Sequence, residues 1–403
     1  MRLARLALAA LALVALAANA DTALDPKQSV ADFDAVWKAI DRDYAYHGDS
    51  RAAWKRARDT WRPRAKTASR IELAAALDGL LSTLRDENVA LAQPFPGLPR
   101  AVPEEADIWA RWRDGAAVIE AVRIFGDGDV AGLKPGDVIL SVDGMAIDRA
   151  VNERLRGSAA NAAARDWALR RIVAGPRAGA MRLELASKGR RRLAVVERRG
   201  TPPATPQAVL ARGVGEARDL GYLRLKGPLD DAKVVAEFDA ALDALAGTRG
   251  LLLDLREVTG RAASHEVTVA ILGRFVKSPS AWQRREGTKR ATDTAAPRGA
   301  AYEAPVAVLV DRWTAGEGEA LAAGLAAVAK ARIVGTPMAG LRGDLAEFRA
   351  PHSGIGVRFP TQRALMPDGT PRERVAPSLT VDLSQPQVGA GDPILYQALK
   401  LLE

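Results

Sequence analysis

The feature that most constrains the fold of this 403-residue chain is the regular alternation of buried strands and helices from about Thr201 to the C-terminus. Apolar runs predict strands at Gly221–Leu225, Gly250–Leu255, Val306–Val310 and Ala331–Gly335. Helical spacing predicts helices at Asp230–Leu245, Val267–Val276 and Glu317–Ala329. Such alternation implies an α/β layer with largely parallel strand pairing and with functional loops at the strand ends.

The N-terminal third has a different pattern. Between Ser29 and Leu91 apolar residues recur at helical spacing, and we predict a small helical domain over residues 21–97. Four prolines between Pro94 and Pro103 predict a linker. The two apolar stripes are Phe33, Val36, Trp37 and Ile40, and then Ile71, Leu73, Leu77, Leu80, Leu81 and Leu84.

The first 20 residues have the pattern of a secretory signal. Arg2 and Arg5 precede a short apolar stretch, and small residues end it at Ala20, where we expect cleavage. An uncleaved anchor is the alternative, but the stretch is short for a bilayer span. The formal charge of +9 would become +7 with the loss of the two arginines. We therefore expect an exported protein, periplasmic or secreted, with no stable membrane span in its mature form.

Composition limits the chemistry. The chain has no cysteine, so disulfides, thiolate metal sites and thiol catalysis are excluded. Its basic clusters lack interleaved aromatic residues, so solvated surfaces are favoured over nucleic-acid binding. No phosphate loop or metal-ligand cluster is recognisable, and we predict no cofactor and no metal.

Residues 104–200 contain short runs punctuated by glycine. In the segment Gly132–Gly144 a Pro-Gly turn leads into a buried strand that ends at an Asp-Gly turn. This segment resembles PDZ domains, and its matching residues are Gly132, Leu133, Gly136 and Asp137; a generic β-hairpin is the alternative. PDZ domains bind extended peptides by adding them to a sheet edge, so the resemblance implies peptide or protein partners.

The segment Pro305–Glu319 predicts a buried strand, a turn and an Ala-rich helix. This arrangement is a usual way to hold a nucleophile at a helix N-terminus. The turn here carries Gly316, which has no side chain.

Taken in order, the three regions resemble the carboxy-terminal processing and tricorn-like serine peptidases. The resemblance covers nearly the whole chain after the signal, and its anchors are Phe33–Tyr44, Leu84–Leu91, Gly132–Gly144, Gly250–Arg256, Pro305–Glu319, Gly354–Pro360 and Gly369–Glu373. It implies a multi-domain α+β fold: a helical N-terminal domain, a PDZ-like β domain, and an α/β peptidase core of ClpP or crotonase type over residues 201–403.

The resemblance also assigns the catalytic positions, and three of them have lost their chemistry. It places the nucleophile at Gly316, the lysine base of the processing peptidases at Leu341, and the histidine base of the tricorn-like branch at Asn88. None of these side chains can attack a substrate or take its proton near neutral pH. A supporting carboxylate is retained at Glu373.

Other residues could support binding or a rearranged reaction. The loop ending at Gly260 and the amides of Gly316 and Glu317 are expected to face a substrate carbonyl. Glu317 and Glu319 also suit the start of a helix. Ser264, His265, Thr314 and Ser353 are candidates for rescue, although Ser264 and Thr314 are better interpreted as helix caps and the pair His352–Ser353 as a solvated turn.

Three functions remain open. The function that we favour is that of an exported peptidase-family protein that binds peptides without cleaving them. It could instead be an active serine-type endopeptidase with rearranged residues, or a structural or regulatory subunit of an active homologue. Geometry separates the first two, because an active enzyme needs a hydroxyl within hydrogen-bond reach of a titratable base.

Overall fold

The computed structural model describes residues 23–155, 161–198, 208–229, 231–260, 265–287, 290–384 and 391–403. The predicted signal at residues 1–20 and the candidate Ser264 lie outside these ranges. The chain divides into two compact units. The first contains the residues up to Leu98 together with Ala346–Thr361, and the second contains Pro99–Leu345 and Gln362–Glu403. The boundary after Leu98 falls inside the predicted proline-rich linker.

The first unit is mainly helical. Its helices are α1 (Pro26–Asp43), α2 (Arg51–Trp61) and α3 (Arg70–Leu81). The side chain of Asp25 caps α1, and that of Ser69 caps α3 by accepting the amide hydrogen of Glu72. Both predicted apolar stripes supply the core, where Phe33, Ile40 and Leu77 are fully buried.

The segment 346–361 was not expected in this unit. Its apolar residues Ile355, Val357 and Phe359 join the helical core. Strand β1 (Ala90–Leu91) pairs antiparallel with Val357 and Arg358 of a strand numbered β16 below. A short carboxy-terminal segment therefore completes a core that the N-terminal helices begin.

In the second unit, residues 108–197 form a six-stranded antiparallel sheet in the order β2-β3-β4-β6-β7, with β5 paired to β4. Its elements are β2 (Ile108–Arg113), β3 (Ala116–Val122), α4 (Asp127–Val130), β4 (Val138–Val142), β5 (Met145–Ala146), α5 (Ile147–Leu155), α6 (Ala162–Ala174), β6 (Ala180–Ser187) and β7 (Arg190–Glu197). Strand β3 alternates buried and half-buried residues, as expected where one face covers a core.

The α/β core contains a second six-stranded sheet, ordered β17-β14-β13-β10-β9-β8. All neighbours pair in parallel except β8 and β9, which confirms the predicted parallel layer. Its elements are β8 (Val209–Val214), β9 (Leu220–Lys226), α7 (Lys233–Ala244), β10 (Leu251–Glu257), α8 (Glu266–Leu272), β13 (Val306–Val310), α9 (Glu317–Ala329), β14 (Arg332–Gly335), β17 (Leu379–Thr380) and α10 (Pro393–Leu402).

The predicted elements agree with the structure in type, and the main difference is at a helix end. The helix predicted over Val267–Val276 stops at Leu272 and continues as a 3-10 turn over Gly273–Phe275. A Cβ at Gly273 would lie 2.5 Å from the carbonyl oxygen of Ala296, so glycine permits this close approach. The strand Val306–Val310 is buried throughout, as a continuous apolar run predicts for a parallel sheet.

Four further strands belong to neither six-stranded sheet. They are β11 (Ser280–Glu286), β12 (Arg290–Ala295), β15 (Asp344–Arg349) and β16 (Gly356–Leu365). Within the second unit, β11 pairs antiparallel with β12 and with residues 363–365 of β16. No helix among the described residues has the length and apolarity needed to cross a membrane.

Candidate functional site

The centre of the candidate site is the turn between β13 and α9. Gly316 is the N-cap residue of α9, with φ 57° and ψ −107°. This backbone lies in the left-handed half of conformational space, where an L side chain costs roughly 1–2 kcal/mol. In other hydrolases, a strained turn between a strand and a helix presents the nucleophile. Here the geometry is present and the side chain is absent.

The carboxylate of Glu319 holds this turn together. Its Oε2 atom accepts the amide hydrogens of Gly316 (3.0 Å) and Leu341 (3.1 Å), and its Oε1 atom accepts that of Gly340 (2.7 Å). Burial raises the pKa of Glu319 to about 7, although Arg372 and the donating amides act in the opposite direction. Glu319 therefore joins the helix start to the segment after β14 and does more than favour the helix dipole.

The amides expected to face a ligand are engaged inside the protein. The amide of Gly316 donates to Glu319, and the amide of Glu317 donates to the carbonyl oxygen of Gly260 at 3.2 Å. A Cβ at Gly260 would lie 2.7 Å from Pro228, so only glycine fits this approach of the two backbones. This corrects the expectation that these amides form an anion-binding site in the observed conformation.

His265 lies between two carboxylates beside the same turn. Its Nδ1 atom is 2.8 Å from Oε1 of Glu317, and its Nε2 atom is 3.1 Å from Oδ2 of Asp344. The Nδ1 contact is a close approach of charges without hydrogen-bond alignment. The imidazole also meets Trp282 edge-on, with ring centroids 5.4 Å apart. Ser264 was expected to be the N-cap residue of the helix that follows. The N-cap of α8 is instead His265, whose side chain makes no capping hydrogen bond.

The charges around His265 determine its protonation. Burial alone would lower the pKa of His265, but the hydrogen bond to Asp344 and the charges of Asp344 and Glu317 outweigh it and raise the pKa to about 9. Burial disfavours the charged form of Asp344, but Arg372 and His265 hold its pKa well below the usual range. At neutral pH His265 is an imidazolium, which has no lone pair and cannot act as a general base.

Arg372 and Thr268 complete this cluster. Arg372 is buried, pairs with Oδ1 of Asp344 at 2.8 Å, and donates to Oε1 of Gln283 at 2.8 Å. The hydroxyl of Thr268 donates to Oε2 of Glu317 at 2.6 Å. We call the four ionic residues His265, Glu317, Asp344 and Arg372 the buried ionic cluster.

Nothing in the sequence pointed to Asp344, Arg372, Thr268 or Gln283. They come from four separate parts of the chain, and no spacing among them signals a common site. Asp344 begins β15, Arg372 lies in a 3-10 turn over Arg372–Arg374, Thr268 is in α8 and Gln283 is in β11. Of the residues in this region, the sequence pointed to His265, as the neighbour of Ser264, and to Glu317, at the start of a helix.

Thr314 has a structural role. It is fully buried, its hydroxyl donates to the carbonyl oxygen of Leu255 at 3.1 Å, and its oxygen accepts the amide hydrogen of Asp311 at 3.0 Å. The expected capping of α9 is therefore wrong, since the N-cap is Gly316. A hydroxyl held in this way between β10 and the end of β13 is not directed at a substrate.

The remaining assigned positions lie apart from one another in the chain. Leu341 is buried and contributes its amide to Glu319. Glu373 has one buried carboxylate oxygen for which no partner is found among the described residues. Asn88 belongs to the first unit, where it is buried. Its backbone amide donates to Oδ1 of Asp86 at 2.9 Å.

His352 and Ser353 also belong to the first unit. Their amides donate to the buried carboxylate of Asp32 at 3.0 and 2.7 Å. The Ser353 oxygen accepts the amide hydrogen of Ile355 at 3.3 Å. The turn thus contributes backbone contacts to the helical unit, and the His352 side chain is exposed.

The four PDZ-matching residues Gly132, Leu133, Gly136 and Asp137 lie in a tight turn. Gly132 and Gly136 have φ of 74° and 91°, and Leu133 is fully buried. The carboxylate of Asp137 accepts the amide hydrogen of Lys134 at 3.0 Å and pairs with Arg192 at 2.6 Å. The glycines and the aspartate of this segment are therefore explained by the backbone conformation and hydrogen bonds of the turn itself.

Known proteins are similar to this chain in part of its sequence and in its fold. Residues 219–381 match the sequence model of peptidase family S41. No curated protein sequence matches the chain significantly. Among solved structures, the photosystem II D1 C-terminal processing protease is similar at a TM-score of 0.56 and 21% identity, with 88% of this chain and 93% of that one covered.

Two other solved structures are similar. Mature CPAF complexed with lactacystin has a TM-score of 0.60 and 14% identity, over 94% of this chain and 97% of that one. The tricorn protease has a TM-score of 0.50 and 15% identity, over 94% of this chain and 37% of that one. At these identities the similarity establishes a shared mixed α+β fold. Residues 219–381 are thus similar in sequence to peptidase family S41, and the chain shares its fold with a C-terminal processing protease, CPAF and the tricorn protease.

Proposed function

We propose that this chain is an exported, noncatalytic member of peptidase family S41 that binds peptide or protein segments without cleaving them. The observation that carries the proposal is Gly316 at the N-cap of α9, in a turn suited to a nucleophile. Its amide is bonded to Glu319, so the position offers neither an attacking atom nor a free donor. Loss of a triad member typically removes several orders of magnitude in rate.

The surroundings of His265 argue against a rearranged active site. A base must be neutral and within reach of a hydroxyl, whereas His265 is a cation between Glu317 and Asp344. Arg372, the other nearby basic group, stays protonated. Thr314 is the nearest hydroxyl to Gly316 along the chain, and its bonds to Leu255 and Asp311 keep it in the core.

For binding, we propose that residues 104–200 form the PDZ-like domain and that strand β2 is the edge to which a peptide is added. Strand β2 is terminal in its sheet. One of its amides, that of Trp112, donates to Oδ1 of Asp166 in α6 at 2.7 Å. The guanidinium of Arg165 lies 3.9 Å from the ring centre of Trp112. A bound peptide must therefore displace Asp166 from the strand edge, which sets a cost for binding.

Restoration of the lost groups tests the proposal. Gly316→Ser together with Asn88→His would return the nucleophile and base that the tricorn-like resemblance assigns. We expect no hydrolysis of casein or of unstructured peptides by the unaltered protein, and measurable hydrolysis by the double variant that a fluorophosphonate probe blocks. Each single variant serves as a control and should remain inactive.

One outcome contradicts the proposal directly. If the unaltered protein cleaves peptides, and if that activity is lost in Thr314→Val or Ser264→Ala but kept in Gly316→Ala, then the chain is an active peptidase with rearranged residues. Circular dichroism of each variant establishes that a lost activity is not a lost fold. The double variant could fail to react while the unaltered chain still binds peptides. That outcome would support the binding function and contradict only the assignment of the base to position 88.

A further inference from the structure

The exposed large apolar side chains in the described part of this protein are concentrated in two short segments. Six large apolar side chains are exposed in the described part of the chain, and five of them lie in residues 124–130 and 193–195. Phe125 is 87% exposed, Ile124 67%, Leu193 64% and Val130 60%. We call Ile124, Phe125, Val130, Leu193 and Val195 the apolar patch. Such clustering marks an interaction surface more often than scattered single residues do.

The two segments of the patch are neighbours. Helix α4, which carries Val130, contacts strand β7, which carries Leu193 and Val195. The side chain of Arg192 in β7 donates to the carbonyl oxygen of Gly132, just after α4, at 2.9 Å. Leu193 and Val195 alternate with Arg192 along β7 and point to its other face, so the two segments meet at this terminal strand of the sheet from its two sides.

The turn that carries Ile124 and Phe125 is held in a strained conformation. Phe125 has φ 63°, which is rare for a bulky L residue. Its amide donates to Oδ2 of Asp129 at 3.0 Å, and the amide of Gly126 donates to the carbonyl oxygen of Arg123 at 3.0 Å. These bonds fix a turn that projects a phenyl ring into water. Strain of this kind persists where a function requires it, and burial against a partner would offset it.

The charges beside the patch select the kind of partner. Residues 124–134 and 188–195 contain five basic residues and two acidic ones, Asp127 and Asp129. Asp127 is buried and pairs with Arg100. Lys134, Lys188, Arg190 and Arg191 are exposed; Lys134 pairs with Asp129 at 3.7 Å and Arg191 with Glu184 at 3.1 Å, so Lys188 and Arg190 add the remaining positive charge. A partner that covers the patch must therefore accept apolar side chains and carry negative charge.

We propose that the apolar patch docks this protein onto an anionic lipid surface. Ile124 and Phe125 enter the interface between headgroups and acyl chains, while the four exposed cations lie at the level of the lipid phosphates. A bilayer accepts a protruding turn without a complementary pocket, which suits residues that project from the surface. This attachment is peripheral and does not depend on whether the chain cleaves peptides.

Co-sedimentation with vesicles tests the proposal. The protein recovered after export, its N-terminus checked by mass spectrometry, is mixed with vesicles of phosphatidylcholine alone or of phosphatidylcholine and phosphatidylglycerol in equal parts. We expect binding to the anionic vesicles only, weakened by added salt. Phe125→Asn removes the ring and places a residue that tolerates the positive φ. We expect it to weaken binding about tenfold, the effect of losing one well-buried large apolar side chain.

Matched variants identify the cause. Tyr396→Ser removes the sixth exposed large apolar side chain of the described residues, which lies outside the patch, and should leave binding unchanged. Arg190→Gln should weaken binding about fivefold, as expected for one cation near an anionic surface, whereas Arg149→Gln, exposed in α5, should not. Equal binding by Phe125→Asn, or equal binding to neutral vesicles, would overturn the proposal. The proposal would also be overturned if the protein did not bind lipid but formed a dimer that Phe125→Asn dissociates. The partner would then be a second copy of the chain.

Discussion

The amide of Gly316 donates its hydrogen to the carboxylate of Glu319, three residues later, at 3.0 Å. This is the half of a capping box that needs no side chain at the N-cap, so it is compatible with glycine. The same carboxylate also receives the amides of Gly340 and Leu341. The turn that would present a nucleophile is therefore stabilised from within the protein.

Replacement of Glu319 should destabilise the protein strongly. Glu319→Ala leaves three buried amide hydrogens without an acceptor, and each unsatisfied donor costs about 1–3 kcal/mol. We expect a loss of about 3–5 kcal/mol in the free energy of unfolding, measured by urea denaturation. Glu72→Ala, at the same third position of α3 but exposed, is the control and should cost under about 1 kcal/mol. A small effect of Glu319→Ala would mean that water replaces the carboxylate.

Gly316→Ala tests the backbone strain of the turn. An alanine at φ 57° should lower stability by about 1–2 kcal/mol. At Gly247 a Cβ would meet nothing within 4 Å and φ is not positive, so Gly247→Ala should be neutral or slightly stabilising. Paired urea titrations measure the difference. Equal stabilities would show that the turn relaxes to accept a side chain, which would also ease the Gly316→Ser restoration.

The buried ionic cluster predicts a stability that falls in mild alkali. The pKa of His265 rises from 6.5 to about 9 on folding, so between these values the folded state binds a proton that the unfolded state has lost. The contribution is fully present below pH 6.5 and disappears as the pH rises through about 9. Its size is about 3 kcal/mol by linkage.

Thermal unfolding between pH 6 and 10 measures this loss. His265→Gln should be less stable at pH 6, because Glu317 and Asp344 then lack their shared cation. It should also lack the decline between pH 6.5 and 9. His352→Gln, at an exposed histidine, should retain the decline. A profile of His265→Gln parallel to that of the unaltered protein would refute the assignment.

Asp166→Ala should strengthen peptide binding at the edge of β2. Removal of the carboxylate frees the amide of Trp112 and spares the peptide one competing hydrogen bond, which is about 1 kcal/mol or roughly fivefold in Kd. Fluorescence anisotropy with labelled peptides of free and amidated C-terminus measures the change. Glu153→Ala, in an exposed ion pair of α5, is the control. Weaker or unchanged binding by Asp166→Ala would place the peptide elsewhere.

Local patterns predicted most of the architecture. The apolar run Val306–Val310 and the Ala-rich segment Glu317–Ala329 became β13 and α9, because strand and helix periodicity are properties of neighbouring residues. The turn at Gly316 followed from the same local reasoning. The segment 346–361 did not, since the apolar pattern of Ile355, Val357 and Phe359 does not say which core it joins.

The sequence by itself determined the order of elements, the parallel core and the absence of a nucleophile side chain at Gly316, since each depends on residues close together in the chain. Only the tertiary structure decided that His265, Glu317, Asp344 and Arg372 share one buried cluster. Their proximity depends on which loops the folded chain brings together, and spacing along the chain carries no record of it. The protonation of His265 follows in turn from those neighbours, because burial and charge at a site belong to the folded state alone.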